Sequence, residues 1–353
     1  MQPGLMAVER RPVRTLRTMR APHLSELSPR AYRRLTLLAL FLLVAIILTG
    51  AGVRLSGSGL GCRDWPNCSP HELIGTSNKN QLIEQLNRMF TGLVCIGVVA
   101  AVLGSRRRVP RRSDLTTLSW ILVVGVIVQA VLGGISVKVK LAPVSVMSHF
   151  LASVVLVGVA LVLHHRAAVP EKPARMDSVV SERTRWLARG VFALTVWVLV
   201  AGTLVTAAGP HGGDASAKRL SWPIPDAARL HGSSVDILLV LIVVLAWRLQ
   251  REHAPRRALN VVSAYLVIAC AQAALGYIQY LNAIPVVLVE IHILGAVLVF
   301  SCATQLLLEL SVPGEGAEAG TAPAREASRR WSPRFATTGP STSPSRATSS
   351  GTR

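Results

Sequence analysis

Charge is what this sequence has least of for its length. Only 16% of its 353 residues are Asp, Glu, Lys or Arg, against 51% apolar ones, and the mean hydropathy is +0.45. That composition excludes an ordinary soluble domain and is rich enough for several membrane spans. Acids are scarcer still, 18 against 38 basic residues, leaving a formal charge of +20. No basic face or nucleic-acid recognition fold accompanies the excess. The cations fall in short bursts between apolar runs, so no nucleic acid is expected as a partner. Polar–apolar alternation is also missing: runs such as VVLVGVALVL are continuous, which excludes barrel strands and leaves helices. About 34 residues precede the first apolar run, too many for a simple signal peptide, and ILTGAGVRLSG holds no A-x-A cleavage site. It reads as a retained span.

What is present is a set of eight apolar segments, near 35–53, 82–103, 115–137, 144–163, 190–207, 230–247, 259–278 and 286–308. Each can cover about 30 Å of hydrocarbon as a helix. With the N-terminus inside, the inner segments hold 29 of the 38 Lys and Arg residues and the outer loops 8. That bias predicts both termini in the cytoplasm. Residues 1–30 are basic and contain proline, and 311–353 are Gly, Ala, Ser, Thr, Pro and Arg with few large apolar residues; both read as disordered tails.

The chain repeats itself. Gln129, Gly133, Pro143 and His149 recur as Gln272, Gly276, Pro285 and His292 at offsets of 142 or 143, and Asn87 in IEQLNRMFTG stands opposite His231 in AARLHGSSVD at 144. Four helices per unit make both halves enter from the same side, related by an axis along the membrane normal. The expected fold is therefore an all-α polytopic membrane protein, two tandem four-helix bundles related by pseudo-twofold symmetry. The segments are a basic tail (1–34), an N-terminal bundle (35–163), a cytoplasmic linker (164–189), a C-terminal bundle (190–308) and a tail (309–353).

His149 lies six residues after Pro143 and His292 seven after Pro285, about 9 to 10 Å of helix rise from the outer loops. His231 and Asn87 stand near the outer starts of their own helices. An imidazole away from water needs a hydrogen bond, a proton partner or a metal. Two on different helices at one depth suit axial ligation of heme iron, with hydrogen bonding or packing as the alternative for His231 and His292. Asn87 makes the N-terminal pair unequal: iron with one strong protein ligand keeps a position for oxygen or rearrangement, whereas bis-histidine iron tends toward electron transfer.

Glu84 shares a helix face with Asn87; it is an acid, base or orienting group, or simply balances Arg88. Arg54 and Arg88 either hold anionic propionates or snorkel to water. Asp236 is expected to pair within its bundle. His164 and His165 read as interfacial, and His23, His71, His211 and His253 as solvated, with His71 and His211 placed to cover an outer site. Cys62 and Cys68 in GLGCRDWPNCSP can close a disulfide in an oxidising compartment, making the loop a lid with Trp65 as its apolar underside; free thiols or a redox-active pair are the alternatives. Cys95, Cys270 and Cys302 fall inside spans as small buried residues.

Taken together, GVRLSGSGLGCRDWPNC, IEQLNR, GGISV with SHF, RLHG and EIHILGA, spread over about residues 35–308, resemble the heme A synthase family. The resemblance implies oxidation of the C8 methyl of heme o, through hydroxylation, to the formyl of heme a for cytochrome oxidase assembly. It implies heme b ligated by His231 and His292, substrate heme o near Glu84 and His149, and a Cys62–Cys68 disulfide. As partners it implies an external electron donor and the protoheme farnesyltransferase that makes heme o; a homo-oligomer is left open. Two departures stand out. The family's E-x-x-H-R reads EQLNR here, and the loop between the fifth and sixth spans has no cysteines. Bis-histidine ligation in the N-terminal half is thereby excluded unless another histidine moves in. The rivals are a diheme electron-transfer subunit, which would want both sites six-coordinate, and a heme or small-molecule transporter, which would expose polar groups toward both sides.

Overall fold

A computed structural model describes residues 26–169, 171–173 and 176–313. The remaining stretches of both tails, with His23, lie outside the described residues. Eight helices follow one another: α1 (Pro29–Leu55), α2 (Lys79–Arg107), α3 (Ser113–Lys138), α4 (Pro143–Ala167), α5 (Glu182–Ala208), α6 (Ile224–Arg251), α7 (Arg256–Leu281) and α8 (Val286–Glu309). All eight are long and apolar enough to cross a membrane. At 24 to 29 residues they rise roughly 36 to 43 Å, so their polar ends project beyond the hydrocarbon. This explains why α1, α5 and α6 start six to eight residues before the apolar segments. The starts of α1, α5 and α2 are capped: Ser28 and Ser181 accept from Ala31 N and Thr184 N, and Asn78 from Gln81 N at 3.0 Å, each satisfying an orphan amide of a first turn.

Helices α1 to α4 close a ring, each packing on the next and α1 on α4; α5 to α8 do the same. Between the rings, α4 packs on α8, α1 on α8 and α4 on α5, a set unchanged when the two halves are exchanged. Val154, Leu199 and Phe300 form the core at that junction, where the Phe192 and Phe300 rings lie 5.9 Å apart.

The repeat is present in the backbone. Leu141 N donates to Ser136 O and Ile284 N to Gln279 O, both at 2.8 Å. The turns between α3 and α4 and between α7 and α8 both carry two consecutive left-handed residues, Lys140–Leu141 and Ala283–Ile284, with φ of 54° to 58°. None of the four is glycine, and such a conformation costs about 1–2 kcal/mol per residue. The prolines are staggered by one: Pro143 is the first residue of α4, while Pro285 caps α8.

At the end opposite the Cys62–Cys68 loop, β1 (Met176–Ser178) pairs antiparallel with β2 (Ser311–Pro313), so the first residues beyond α8, read as tail, are a strand. His164 meets the Thr36 hydroxyl at 3.0 Å and His165 the Gln305 amide at 3.2 Å. Glu252, just past α6, accepts from the Ser181 amide and hydroxyl at 2.7 Å and from the Thr184 hydroxyl. The Thr184 bond, aided by those from Ser181, holds its carboxyl below the usual carboxylate range. A depressed carboxyl stabilises the fold above its unfolded pKa, about 4.3, and that contribution is lost as pH falls through the lower folded value. Glu252→Gln is therefore expected to lower the melting temperature at neutral pH, with the gap to the parent closing in acid below that range. Thermal unfolding in detergent across pH measures this, and a pH-independent gap would contradict it.

Candidate functional site

Four helices converge on two imidazoles in the C-terminal half. His231 comes from α6 and His292 from α8, with ring centroids 6.4 Å apart and planes at 71°. Nδ1 of His231 lies 3.1 Å from Val198 O on α5, which commits that nitrogen to the backbone and leaves Nε2 for another partner. The Gln272 amide on α7 donates to the His292 carbonyl at 2.6 Å, and Nδ1 of His292 is buried with no hydrogen-bond partner among the described residues. Glycines let the neighbouring helices back both rings. A Cβ on Gly202 would come within 3.2 Å of His231 Cε1, and one on Gly276 within 3.3 Å of His292 Cε1.

This donor set fits a metal that brings most of its own coordination sphere. Two imidazoles each bonding one metal at about 2.0 Å have ring centres roughly 6 Å apart, close to the spacing here. Among the described residues no three His, Cys, Asp or Glu side chains group to hold a bare ion. Heme needs only axial ligands from the protein, and the orphaned Nδ1 of His292 belongs to a ring not otherwise satisfied by its surroundings.

The N-terminal half repeats one side of this arrangement. His149 on α4 lies against Gly133, whose Cβ would stand 3.5 Å from Cε1, and the Gln129 amide donates to the His149 carbonyl at 3.0 Å. Nδ1 of His149 is buried and unpartnered among the described residues, and so is Oδ1 of Asn87 on α2.

Over this half lies the loop joining α1 to α2, closed by a Cys62–Cys68 disulfide with a Cα–Cα distance of 4.3 Å. Its anchor is the pair Glu84–Arg88. One Glu84 oxygen accepts from Cys62 N at 2.8 Å, and the other accepts from Arg88 Nη2 at 2.7 Å and Nε at 3.1 Å. Arg88 in turn donates to the carbonyls of Asp64, Pro66 and Asn67 at 3.0 to 3.2 Å. The far edge rests on α3: Asp64 pairs with Lys138, and that hydrogen bond, with one from Trp65 N, holds the Asp64 carboxyl below the usual range. The Trp65 indole packs against Gly134, where an added Cβ would meet Cδ2 at 2.5 Å. Gly134→Ala should therefore displace the indole at a cost of about 1–3 kcal/mol. Thermal unfolding of the single and double variants checks this, because the cost should vanish in a Trp65→Ala background; a cost that persists there would assign it to α3 itself.

Arg54 is taken up by the other roof. Its Nη1 donates to His211 O at 2.7 Å, and Nε2 of His211 meets Ile284 O at 2.8 Å, joining α1, the α5–α6 loop and the α7–α8 turn. Gly59 N donates to Gly213 O at 2.8 Å, so the two roofs touch through the backbone.

Residues 33–211 match the family model COX15-CtaA, described as cytochrome oxidase assembly protein. The chain belongs to this family. The matched stretch takes in Glu84, Asn87 and His149 and stops short of His231 and His292. Among curated relatives, the heme A synthase of Lysinibacillus sphaericus (strain C3-41) is 24% identical over 231 residues, 61% of this chain and 74% of that protein. The heme A synthase of Listeria welshimeri is 25% identical over 293 residues, 77% and 93% of the two chains. That of Shewanella oneidensis is 26% identical over 179 residues, 44% and 52%.

In this COX15-CtaA family member several sequence expectations change. Asp236 is exposed, with no hydrogen bond or ion pair among the described residues, rather than paired in its bundle, because it falls between the buried positions Ser234 and Leu238 and so faces away from them. Cys95 and Cys270 likewise face outward, and only Cys302 is half-buried. Glu290 on α8, two residues before His292, has a buried Oε2 with no partner among the described residues and interacts electrostatically with Arg54. Sequence reasoning passed over it, although a lone acid at the outer start of the eighth span was a signal.

Proposed function

We propose that this protein is a heme A synthase, which oxidises the C8 methyl group of heme o to the formyl group of heme a through a hydroxylated intermediate, in support of cytochrome c oxidase assembly. The observation that carries this reading is the facing pair His231 and His292, 6.4 Å apart on α6 and α8, in a member of a cytochrome oxidase assembly family.

In this reading residues 190–308 form the bundle that would hold heme b, through His231 and His292. That heme supplies one-electron transfer when bound. Residues 35–163 form the bundle that takes the substrate, heme o, with His149 as the ligand to its iron. Glu84 acts as an orienting group: both its oxygens are spent on Cys62 N and Arg88, so it sets the position of the loop above the substrate. Arg88 completes that anchor, and Arg54, whose Nη1 is spent on His211 O, would meet a propionate through its remaining guanidinium nitrogens. The unchanged pairing of helices on exchange of the halves supports a pseudo-twofold axis along the membrane normal. The charge bias supports cytoplasmic termini and sites near the outer face of a bacterial plasma membrane. An external electron donor and the farnesyltransferase that supplies heme o complete the partners.

Purification from cells supplied with heme o, followed by analysis of the extracted porphyrins, tests the function. Hydroxylated or formyl heme that disappears in His149→Ala supports it. Unchanged heme o under reducing, aerated conditions would sink it in favour of an electron-transfer role.

A further inference from the structure

We infer that the N-terminal heme site is one-sided by construction: Asn87 places an amide opposite His149, leaving one axial position of the iron free for a small exogenous ligand. This rests on the reading of the protein as a two-site heme protein and deepens it by giving the Asn87 amide a task, hydrogen bonding to a small ligand on the open side.

The register of the halves decides which residues correspond. Shifting α2 by 144 brings its last residue onto that of α6, its first to within one residue of the start of α6, and its buried Val94, Val98, Ala101 and Ser105 onto the buried Leu238, Ile242, Leu245 and Leu249. Asn87 therefore occupies the place of His231. A shift of 152 likewise superposes the buried positions Thr36, Ala39, Leu43 and Ile47 of α1 on Ala188, Val191, Thr195 and Leu199 of α5, and carries Gly50 onto Gly202.

That correspondence exposes the difference. Gly202 is backed closely by the His231 ring, whereas a Cβ on Gly50 would meet nothing within 4 Å. An asparagine side chain is too short to fill what an imidazole fills in the other half. On the opposite side the match is retained: His149, Gly133 and Gln129 reproduce His292, Gly276 and Gln272, including the amide-to-carbonyl hydrogen bond.

No other imidazole stands in for the missing one among the described residues. His164 and His165 are bonded at the opposite end, His211 is bonded to the α7–α8 turn, and His71 and His253 are exposed. The Asn87 Oδ1 is buried without a partner among the described residues, and an acceptor so placed calls for a donor such as a bound water. A carboxamide donates as well as accepts, and hydrogen-bond donors on the open side of a heme govern which small ligands bind there. Asn87 is in this sense a positioning residue for a diatomic ligand or water.

Carbon monoxide is the probe. The full-length parent and its Asn87→His and Asn87→Leu variants are loaded with excess ferrous protoheme in detergent, and absorption and C–O stretching spectra are recorded with and without carbon monoxide. The parent is expected to bind two hemes, one of which shifts with carbon monoxide. Asn87→His should lose that shift and gain a second low-spin spectrum. Asn87→Leu should keep the shift but move the C–O stretch, because the amide no longer contacts the ligand. A parent whose two hemes both ignore carbon monoxide would overturn the inference. So would an unchanged shift in Asn87→His, an unmoved stretch in Asn87→Leu, or a second heme that binds only in Asn87→His. Failure of all three proteins to take up heme in either half would instead refute the heme-protein reading.

Discussion

Replacing His292 with alanine is expected to strip heme from the C-terminal half, lowering affinity there by about a hundredfold or more, since loss of a supporting hydrogen bond to a metal-bound histidine already costs ten- to a hundredfold. The ring is one of two that face each other at 6.4 Å, and its neighbours offer no substitute: Gly276 contributes only space and Gln272 holds the backbone carbonyl. A ligand that binds only the folded state also stabilises it, by about 2.7 kcal/mol at a hundred times its dissociation constant, so the variant should melt earlier in the presence of heme and much less so in its absence. Heme content per chain, the reduced low-spin spectrum and thermal unfolding with and without heme measure both effects. Added imidazole should restore part of the spectrum by filling the space the side chain left. A variant with undiminished heme would reduce His292 to a packing residue.

Truncating Glu84 to alanine is expected to destabilise the protein by about 3 kcal/mol, the lower end of the range for breaking a buried ion pair. The lower end applies because Arg88 keeps its bonds to three loop carbonyls and a side chain 20% exposed. The loss should be local: the Cys62–Cys68 loop is released at Cys62 N, so limited proteolysis should cut it faster while the helices persist. Glu84→Gln separates the two roles an acid could have. Its amide oxygen can still accept from Cys62 N, so an orienting residue retains much of its turnover, whereas a proton-transfer residue loses it with the loop in place.

Much of this architecture was legible from local signals. Apolar length marks the spans, and the repeat of Gln, Gly, Pro and His at an almost fixed offset foretold two matching halves with polar side chains at matching depth. What escaped was set by helical phase or by partners distant in sequence. Asp236 and Cys95 sit in spans, and only the direction of each side chain, fixed by packing, shows that they face away from the bundle. The sharing of both Glu84 oxygens depends on a loop 22 residues earlier folding back onto α2, and the seat of Trp65 on Gly134 depends on a helix nearly seventy positions on. Strands of three residues such as β1 and β2 carry no period at all.

The hydrogen bond from Gly59 to Gly213 means that the coverings of the two halves are latched to each other, and the Leu141 side chain is wedged beside both glycines, within 3.0 Å of where a Cβ on either would be. Moving either covering by itself breaks this bond, at a net cost of about 1 kcal/mol, and lifts one glycine off the Leu141 side chain. A displacement of one covering is therefore felt by the other through that seam.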